Sequence, residues 1–329
     1  MNTKEAVICQ LIKSGGYVSG ETLGETLGIS RAAVNMAIRA LRADGYEIDS
    51  STNKGYILLS SPDVISCGGL SAYLPEDRIG KIFCYDCVNS TNTVLRELAL
   101  AGAEAGRVVT AEAQTAGRGR MGRQFVSPKG KGVYISYLMR PDGVLPANAT
   151  SLTALVAVAI SRAVEKVCSV RPDIKWVNDL VFGGKKICGI LTEMSIESES
   201  GHIQYIVIGA GLNVNETADD FPEELREKAT SLFAETGKRF KRAQIAAEII
   251  KQLDLLSIGF PDNRQSYFDA YKKNCVTLKK NVRIMNKQED IGFAEDLTEN
   301  FELVVRLDNG SVKTVSSGEV SVRGEKGYV

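Results

Sequence analysis

The sequence predicts an α+β multidomain protein with an N-terminal winged helix-turn-helix, a central mixed α/β domain and a small C-terminal β-barrel. Three helical patterns followed by a hairpin pattern predict the first part, residues 1–60. Irregular alternation of helical and strand patterns predicts the second, residues 80–270. A run of short strands predicts the third, residues 271–329. Residues 61–79, which contain Ser, Pro and Gly, are predicted to be a linker.

The composition limits the classes of protein to which the chain can belong. The chain has 329 residues, 44% hydrophobic and 24% charged, with zero formal net charge, which is ordinary for globular domains. It has no 18-residue apolar run and no secretory signal pattern, so we expect a cytoplasmic protein with no membrane partner. Its one histidine, His202, lies in a polar stretch. Catalysis is therefore expected to depend on positioning and charge rather than on a histidine base.

The cysteines are odd in number and irregular in spacing, which argues against a disulfide framework. Cys84 and Cys87 form a CxxC motif, but the stretch Lys81–Val88 reads as a strand. Alternating side chains would put the two cysteines on opposite faces. A zinc site is therefore not expected there.

The first 60 residues carry a candidate DNA-binding surface. Ser19 and Ser30 are good N-caps for the second and third helices, and Gly28-Ile29 supplies the turn between them. On the third helix, apolar residues share one face and basic residues cluster on another. The residues predicted to contact DNA are Ser30, Arg31, Asn35, Arg39 and Arg42. A protein-interaction or dimerisation domain with a solvated basic face is the alternative. Acidic residues balance the basic ones in this region, so affinity for DNA would depend on a local basic stripe and on dimerisation.

The later segments show clear periodic patterns. In the central domain, strand patterns cover Val108–Ala113, Val133–Met139 and Ile203–Ile208, and helical patterns cover Thr91–Ala101, Ala147–Cys168 and Ala243–Ser257. The C-terminal strand patterns are Val282–Ile284, Ile291–Leu297, Leu303–Leu307, Val312–Val315 and Val320–Val322. Between two of them, Asp308-Asn309-Gly310 is a strong hairpin turn.

The most informative stretch is Gly117-Arg118-Gly119-Arg120-Met121-Gly122-Arg123. It matches the G-x-G-x-x-G pattern of dinucleotide-binding loops, but such a loop must lead directly into a helix. Residues 123–132, rich in Gly and Pro, cannot form a stable helix. We therefore expect a flexible cationic loop that closes over a phosphate-bearing ligand through its guanidinium groups. A solvated basic loop is the alternative.

Three other segments could carry chemistry. Residues 175–191 contain the Asn178-Asp179 pair and Lys186, which could hold magnesium and neutralise charge on a carboxylate or phosphate. Ser90-Thr91-Asn92 begins a predicted helix, and residues 208–215 are rich in small side chains. The alternatives are ordinary turns, a helix cap and a bend.

These segments in this order resemble the biotin–protein ligase family, in particular its bifunctional, repressor-type branch. The resemblance covers nearly the whole chain and implies a class II synthetase-like biotin ligase fold followed by an SH3-like barrel. It implies that ATP, with Mg²⁺, and biotin form biotinyl-5′-AMP, and that biotin passes to a lysine of the biotin carboxyl carrier protein of acetyl-CoA carboxylase. It also implies a homodimer when the adenylate is bound, which binds operator DNA and represses biotin biosynthesis genes.

The resemblance also assigns site residues. It implies catalytic roles for Lys186, Arg118 and Arg120. The implied biotin-binding residues are Ser90, Thr91, Asn92, Gln114, Arg118, Gly119, Arg120 and Lys186. The implied nucleotide-binding residues are Phe125, Lys175, Asn178, Asp179, Gly209, Gly211, Asn213 and Arg323. Asp179 is the implied contact to the metal through the phosphates. Glu319 and Arg323 are expected to tie the barrel to the active site.

Two departures from the family pattern affect function. Val177 stands where the family usually has Pro, and Asn35 stands where the recognition helix often has an aromatic residue. Three other readings stay open: a lipoate ligase, a regulator that senses a ligand without turnover, and a ligase whose winged helix no longer binds DNA.

Overall fold

The computed structural model describes residues 2–285, 290–316 and 321–324. Its N-terminal unit comprises α1 (Thr3–Ser14), α2 (Gly20–Leu27), α3 (Arg31–Ala43), β1 (Glu47–Ser51) and β2 (Gly55–Ser60). Asn2, Ser19 and Ser30 cap the three helices with their side chains. β1 and β2 form an antiparallel hairpin. The predicted winged helix-turn-helix is therefore confirmed.

The segment predicted as a linker is folded and packed. It contains the short helices α4 (Cys67–Ser71) and α5 (Glu76–Ile79). Its residues Ile65 and Leu70 are buried in the same cluster as the apolar residues of the central domain. The chain thus leaves the winged helix and at once contributes to the next core.

The central unit is a seven-stranded sheet with helices on both faces. Its first elements are β3 (Ile82–Val88), α6 (Thr91–Leu100), β4 (Val108–Gln114), β5 (Val133–Met139) and α7 (Leu152–Cys168). They are followed by β6 (Asp173–Lys175), β7 (Asp179–Phe182), β8 (Lys185–Ile196), β9 (Ile203–Leu212), α8 (Leu232–Thr236), α9 (Arg242–Gly259) and α10 (Arg264–Asn274). The predicted helix over Ala147–Cys168 begins later, at Leu152, after a 3-10 turn at Pro146–Ala149.

The strand order is β3-β4-β5-β9-β8-β7-β6. β3 and β4 are parallel, and the other neighbouring pairs are antiparallel. Val108 and Tyr137 pack in the large core with α7 and α9, whereas their neighbours Val109 and Leu138 pack with Leu95 of α6. Because successive side chains of a strand point to opposite faces, this alternation buries both faces of the central strands.

The C-terminal unit is a five-stranded antiparallel sheet ordered β13-β12-β11-β10-β14. Its strands are β10 (Asn281–Met285), β11 (Asp290–Leu297), β12 (Leu303–Leu307), β13 (Val312–Val315) and β14 (Ser321–Gly324). Gly310 has φ 85° in the predicted hairpin turn, a conformation that glycine adopts without strain. Closure of this sheet into an SH3-like barrel stays a prediction.

A buried ion network joins the packed linker to the central sheet. Arg242, at the start of α9, has no solvent exposure. Its Nε lies 3.0 Å from Asp63 Oδ2, and its Nη2 lies 2.9 Å from Glu112 Oε2. Glu112 Oε1 also accepts a 2.7 Å hydrogen bond from the amide of Ile65. Burial lowers the pKa of Arg242, but the two carboxylates outweigh that effect and raise it overall.

Glu216 is a second buried acidic group. Its side chain has no solvent exposure, and its Oε2 has no hydrogen-bond partner among the described residues. Burial raises the pKa of Glu216 from 4.5 to about 7. Between those two pH values the folded protein binds more protons than the unfolded chain. The free energy of unfolding therefore falls as pH rises through this window.

We predict that Glu216→Gln removes this loss of stability. Relative to the variant, the wild type should lose roughly 3 kcal/mol of its free energy of unfolding as pH rises from 4.5 to 7, since each pKa unit corresponds to ~1.4 kcal/mol. Urea unfolding at a series of pH values measures the difference. The exposed Glu224→Gln is the matched control and should keep the wild-type pH profile. If the free energy of unfolding had the same pH dependence in the wild type and in Glu216→Gln, the raised pKa of Glu216 would be contradicted.

Candidate active site

A cavity of about 710 Å³ collects the predicted ligand-binding residues. Those with described side chains all line it: Ser90, Thr91, Asn92, Gln114, Arg118, Gly119, Arg120, Phe125, Lys175, Asn178, Asp179, Lys186, Gly209, Gly211 and Asn213. Arg323 lies on β14, opposite Arg283, but its side chain is outside the described set. Glu319 also lies outside the described residues. Segments more than 120 residues apart in the chain thus meet at one concave surface.

The glycine-arginine segment is an ordered turn rather than an open loop. The Phe125 amide donates to the Gly117 carbonyl at 2.9 Å, and the Gly119 amide donates to the Arg123 carbonyl at 2.7 Å. A Cβ added at Gly117 would lie 2.3 Å from the Phe125 carbonyl oxygen, so this close approach requires glycine. Residues 123–132 form no α-helix. The rejection of a dinucleotide-binding loop is therefore confirmed.

Two arginines of this turn contact β8 and the turn before β7. Arg118 Nη2 lies 3.2 Å from Glu193 Oε1, and Arg120 Nη1 donates to Asn178 Oδ1 at 3.2 Å. Burial lowers the pKa of Arg120 although Asp179 nearby opposes the effect, and a guanidinium stays charged at neutral pH. The alternative of a merely solvated basic loop does not fit these contacts.

Polar side chains without charge line another part of the cavity. The Thr91 amide and Oγ1 both donate to Gln114 Oε1, at 2.9 and 3.2 Å. Gln114 Nε2 in turn donates to Ser127 Oγ at 2.9 Å. Ser90 precedes α6 but makes no side-chain capping hydrogen bond. These side chains therefore form part of the cavity wall and do not cap the helix. They can recognise uncharged polar groups of a ligand.

Asn92 is buried and explains the first glycine of β9. Its Oδ1 lies 2.6 Å from Ser136 Oγ, and its Nδ2 donates to Glu193 Oε2 at 2.8 Å. A Cβ added at Gly209 would lie 2.1 Å from Asn92 Oδ1. Gly209 therefore makes room for a buried amide.

Phe125 explains the second glycine of the same strand. A Cβ added at Gly211 would lie 2.5 Å from Phe125 Cε1. The Phe125 ring also packs edge-on against Tyr134, with 6.4 Å between ring centroids. This arrangement gives the cavity an aromatic wall that can pack against a planar ligand group.

Lys186 and Asp179 form the charged centre of the cavity. Lys186 Nζ lies 2.7 Å from Asp179 Oδ1. A Cβ added at Gly189 would lie 2.8 Å from Lys186 Nζ, so the glycine gives the ammonium room. Asn213 is buried and donates to the Thr230 carbonyl at 2.9 Å, while Lys175 is also buried. The arrangement places one lysine beside one carboxylate.

The turn before β7 is attached to the C-terminal unit. Trp176 Nε1 donates to the Phe301 carbonyl at 2.8 Å, and the Trp176 amide donates to Thr277 Oγ1 at 2.9 Å. The peptide bond between Trp176 and Val177 is cis. Trp176 also lines the cavity, so the C-terminal unit supports the segment that carries Asn178.

Glu193 is the residue that the sequence analysis missed most clearly. Its two carboxylate oxygens bind Arg118 of the turn and Asn92 of α6 at the same time. The available signal was its position on β8, two residues after the apolar Leu191 and four after Gly189. Period-two alternation places all three on one face of the strand.

The residues predicted to contact DNA differ in whether their side chains already make hydrogen bonds within the winged helix. Arg31 and Arg39 are exposed on α3. Arg42 is committed to β1, since its Nε and Nη2 donate to the Ile48 carbonyl at 3.0 and 2.7 Å. Asn35 Oδ1 accepts a 2.8 Å hydrogen bond from Tyr56 of the wing. Ser30 caps α3 through the Ala33 amide.

Exposed Met36 was not anticipated, although it lies among these polar residues. It follows Asn35 on α3 and is 72% exposed. DNA contact by this surface stays a prediction.

Across the described parts of the chain, no group of three or more His, Cys, Asp or Glu side chains is arranged to hold a metal ion. Among the same residues, no helix is both long enough and apolar enough to cross a membrane.

Comparison with known proteins gives the family. The model of the biotin/lipoate A/B protein ligase family matches residues 84–213, and an HTH domain model matches residues 3–57. The bifunctional ligase/repressor BirA of Bacillus subtilis is 40% identical over 251 residues, which cover 74% of this chain and 76% of that protein. BirA of Escherichia coli is 30% identical over 324 residues, 98% of each chain.

A solved structure agrees with these matches. The biotin protein ligase from Aquifex aeolicus in complex with biotin and ATP is 26% identical, with a TM-score of 0.63, and covers 74% of this chain and 99% of that one. The fold and the cavity therefore define a protein ligase joined to a helix-turn-helix domain. The chain belongs to the biotin protein ligase family, in its bifunctional ligase/repressor branch.

We predict that Glu193→Gln loosens the glycine-arginine turn. The change removes the charge that holds Arg118 while it keeps a side chain of the same shape for Asn92. A partly exposed ion pair stabilises the closed turn by at most about 1 kcal/mol. Its loss should therefore raise the frequency of turn opening by at most about fivefold. Limited trypsin digestion, followed by mass spectrometry of cleavage after Arg118 and Arg120, measures the opening.

The exposed Glu199→Gln is the control for this experiment and should be cleaved at the wild-type rate. An unchanged rate for Glu193→Gln would show that the carboxylate does not hold the turn.

Proposed function

We propose that this protein is an ATP-dependent biotin–protein ligase that also represses transcription of biotin biosynthesis genes in response to biotin. One observation carries the enzymatic half: Arg118, Arg120 and Lys186 line the same cavity as the uncharged polar group of Thr91, Asn92 and Gln114. Such a cavity suits a ligand that is polar but neutral at one end and anionic at the other. Biotin has this character, and its reaction with ATP adds further anionic groups.

The first half-reaction joins two anions. A biotin carboxylate oxygen attacks the α-phosphorus of ATP, a new O–P bond forms, and pyrophosphate leaves with the electrons of the broken bond. We assign to Arg118, Arg120 and Lys186 the neutralisation of charge on the carboxylate and phosphates. Phe125 packs against the adenine, and Gly209, Gly211 and Asn213 border the nucleotide. We assign Lys175, Asn178 and Arg323 to the nucleotide as well.

The second half-reaction transfers the acyl group. A lysine amine of the biotin carboxyl carrier protein attacks the carbonyl carbon of the mixed anhydride, AMP leaves with the bonding electrons, and the amine gives up a proton. The product is an amide, so no nucleophile of this chain is required. The ordered turn from Gly117 to Arg123 covers the cavity and keeps water from the anhydride between the two steps.

One carboxylate at the cavity, that of Asp179, has the chemistry to hold Mg²⁺. Magnesium is usually held by one or two carboxylates together with substrate phosphates and water, and Asp179 is a carboxylate that borders the cavity. Asp179 already pairs with Lys186. We therefore propose that Asp179 would hold Mg²⁺ together with the phosphates of ATP. There the ion would offset phosphate charge.

The geometry also supports a homodimer in the adenylate-bound state. β7 pairs with β8 only as far as Gly189. Among the described residues, no strand lies beside the other edge of Leu191–Ile196, where Met194 and Ile196 are exposed. A second copy could extend the sheet at this edge. Glu193 lies on this same stretch and contacts both Arg118 and Asn92. A ligand that contacts Arg118 or Asn92 would therefore act on the edge through Glu193.

The repressor half rests on the helix-turn-helix domain and on the ligase/repressor relatives. We propose that the adenylate-bound dimer in the cytoplasm binds operator DNA with Arg31 and Arg39 of α3, and that Ser30, Asn35 and Arg42 shape that surface. Gel-shift assays on the biotin operon promoter test this half. A shift that requires both biotin and ATP supports it. The absence of such a shift, in a preparation that labels the carrier, identifies a single-function ligase.

The enzymatic half has a direct test. Purified protein is mixed with MgATP, the biotin carboxyl carrier domain and either biotin or lipoate, and labelling is read by avidin or lipoyl antibody. We expect biotin labelling with release of pyrophosphate. Labelling by lipoate alone would identify the other branch of the family, and ligand binding without pyrophosphate release would identify a non-enzymatic sensor.

We predict that Arg120→Gly lets the adenylate escape. Loss of the guanidinium breaks the contact with Asn178 and removes a positive charge from the cavity, so biotinyl-5′-AMP should leave faster and label lysines of bystander proteins. Biotin transfer to added serum albumin, probed with avidin, measures the escape. Arg107→Gly, which changes an arginine outside the cavity, is the control. Equal albumin labelling by Arg120→Gly and wild type would disprove the assignment.

A further inference from the structure

A second cavity, of about 850 Å³, lies between the winged helix and the edge of the central sheet. Residues of α1, α4, α5 and β3 line it. Three cysteines face this one space: Cys9 from α1, Cys67 from α4 and Cys84 from β3. None of them takes part in the proposed ligase chemistry, and no sequence motif joins them.

Two of these thiols are in direct contact. Cys67 Sγ and Cys84 Sγ lie 3.6 Å apart, although the residues are 17 positions apart in the chain. Cys67 is buried and Cys84 is partly buried. In the CxxC motif, Cys87 is exposed instead, because it lies three positions along the strand from Cys84. The partner of Cys84 is therefore Cys67, from outside the motif.

The contact makes the two sulfurs chemically unequal. The hydrogen bond with Cys84 lowers the pKa of Cys67 despite its burial. The same hydrogen bond, together with burial, raises the pKa of Cys84 well above its usual value. Since the thiolate is the reactive form, this difference favours Cys67, which also lines the cavity, as the nucleophile of the pair. The cavity gives small oxidants a path to it.

We propose that Cys67 and Cys84 are a reversible redox modification site that a hydroperoxide converts to a disulfide. The Cys67 thiolate attacks a peroxide oxygen, an S–O bond forms, the O–O bond breaks, and the leaving oxygen takes a proton to become water or an alcohol. Cys84 then attacks the Cys67 sulfur, an S–S bond forms, the S–O bond breaks, and a second water leaves. Two electrons pass from the thiols to the peroxide.

The disulfide would act on the surface against which the winged helix packs. Formation of the bond replaces a non-bonded contact between Cys67 of α4 and Cys84 of β3 by a covalent link, so we expect it to restrict or shift α4 relative to β3. α4 also carries Gly68, where an added Cβ would lie 2.3 Å from Ile8 Cγ2 of α1. Because α1 and α4 pack this closely, movement of α4 changes the surface on which the winged helix rests. Redox control of this kind does not depend on ligase activity.

The test uses the full-length protein and hydrogen peroxide. After oxidation, remaining thiols are alkylated, the protein is digested without reductant, and peptides are mapped by mass spectrometry. We expect a peptide pair joined through Cys67 and Cys84 that dithiothreitol separates, and a higher unfolding midpoint because the bond closes a 17-residue loop. Hydrogen exchange in α1 should differ between the oxidised and reduced protein.

Matched variants complete the experiment. Cys67→Ser and Cys84→Ser should each abolish the crosslink and the rise in midpoint, and Cys84→Ser suffices if the buried Cys67→Ser fails to fold. Cys87→Ser, on the same strand, should retain both. Recovery of Cys67 as an alkylated thiol, as a sulfinic acid, or crosslinked to Cys9 would overturn the proposed pair. Unchanged exchange in α1 of the crosslinked protein would overturn its effect on the winged helix.

Discussion

Arg242 brings its guanidinium into the interior of the protein, where it holds together segments that are far apart in the chain. It binds Asp63 of the packed linker, Glu112 of β4 and the Gly132 carbonyl before β5. Removing one member of such a buried set leaves an uncompensated charge, which destabilises a fold by about 3–5 kcal/mol. This network fixes the position of β4. It also fixes the position of the winged helix beside the ligase core.

The cavity follows from that arrangement and from tight packing at three glycines. Gly189, Gly209 and Gly211 leave room for Lys186, Asn92 and Phe125, in that order. Side chains from separate elements can therefore occupy one small volume. Glu193 then joins the turn that carries Arg118 to Asn92 at the other side of the cavity. The site is a preorganised polar surface, which is what stabilisation of developing charge requires.

Local patterns predicted the elements well, because helix caps, glycine turns and strand alternation act over a few residues. Only the family resemblance assigned the Asn178-Asp179 pair to the site. Local patterns by themselves indicated a ligand-binding segment at Gly117–Arg123. They did not predict that Arg42 binds the Ile48 carbonyl, that Asn35 accepts from Tyr56, or that residues 61–79 pack into a core. Each of these depends on contacts between distant segments, which no short pattern encodes.

By itself, the sequence determined the kinds of element and their order, and through its family resemblance it predicted residues that the structure places around one cavity. The tertiary structure alone decided which oppositely charged groups are paired, as Arg118 with Glu193 and Lys186 with Asp179. It alone brought Cys67 within 3.6 Å of Cys84. The physical reason is range: caps and periodicity act within a few residues, whereas ion pairs and thiol contacts depend on how the chain closes in space.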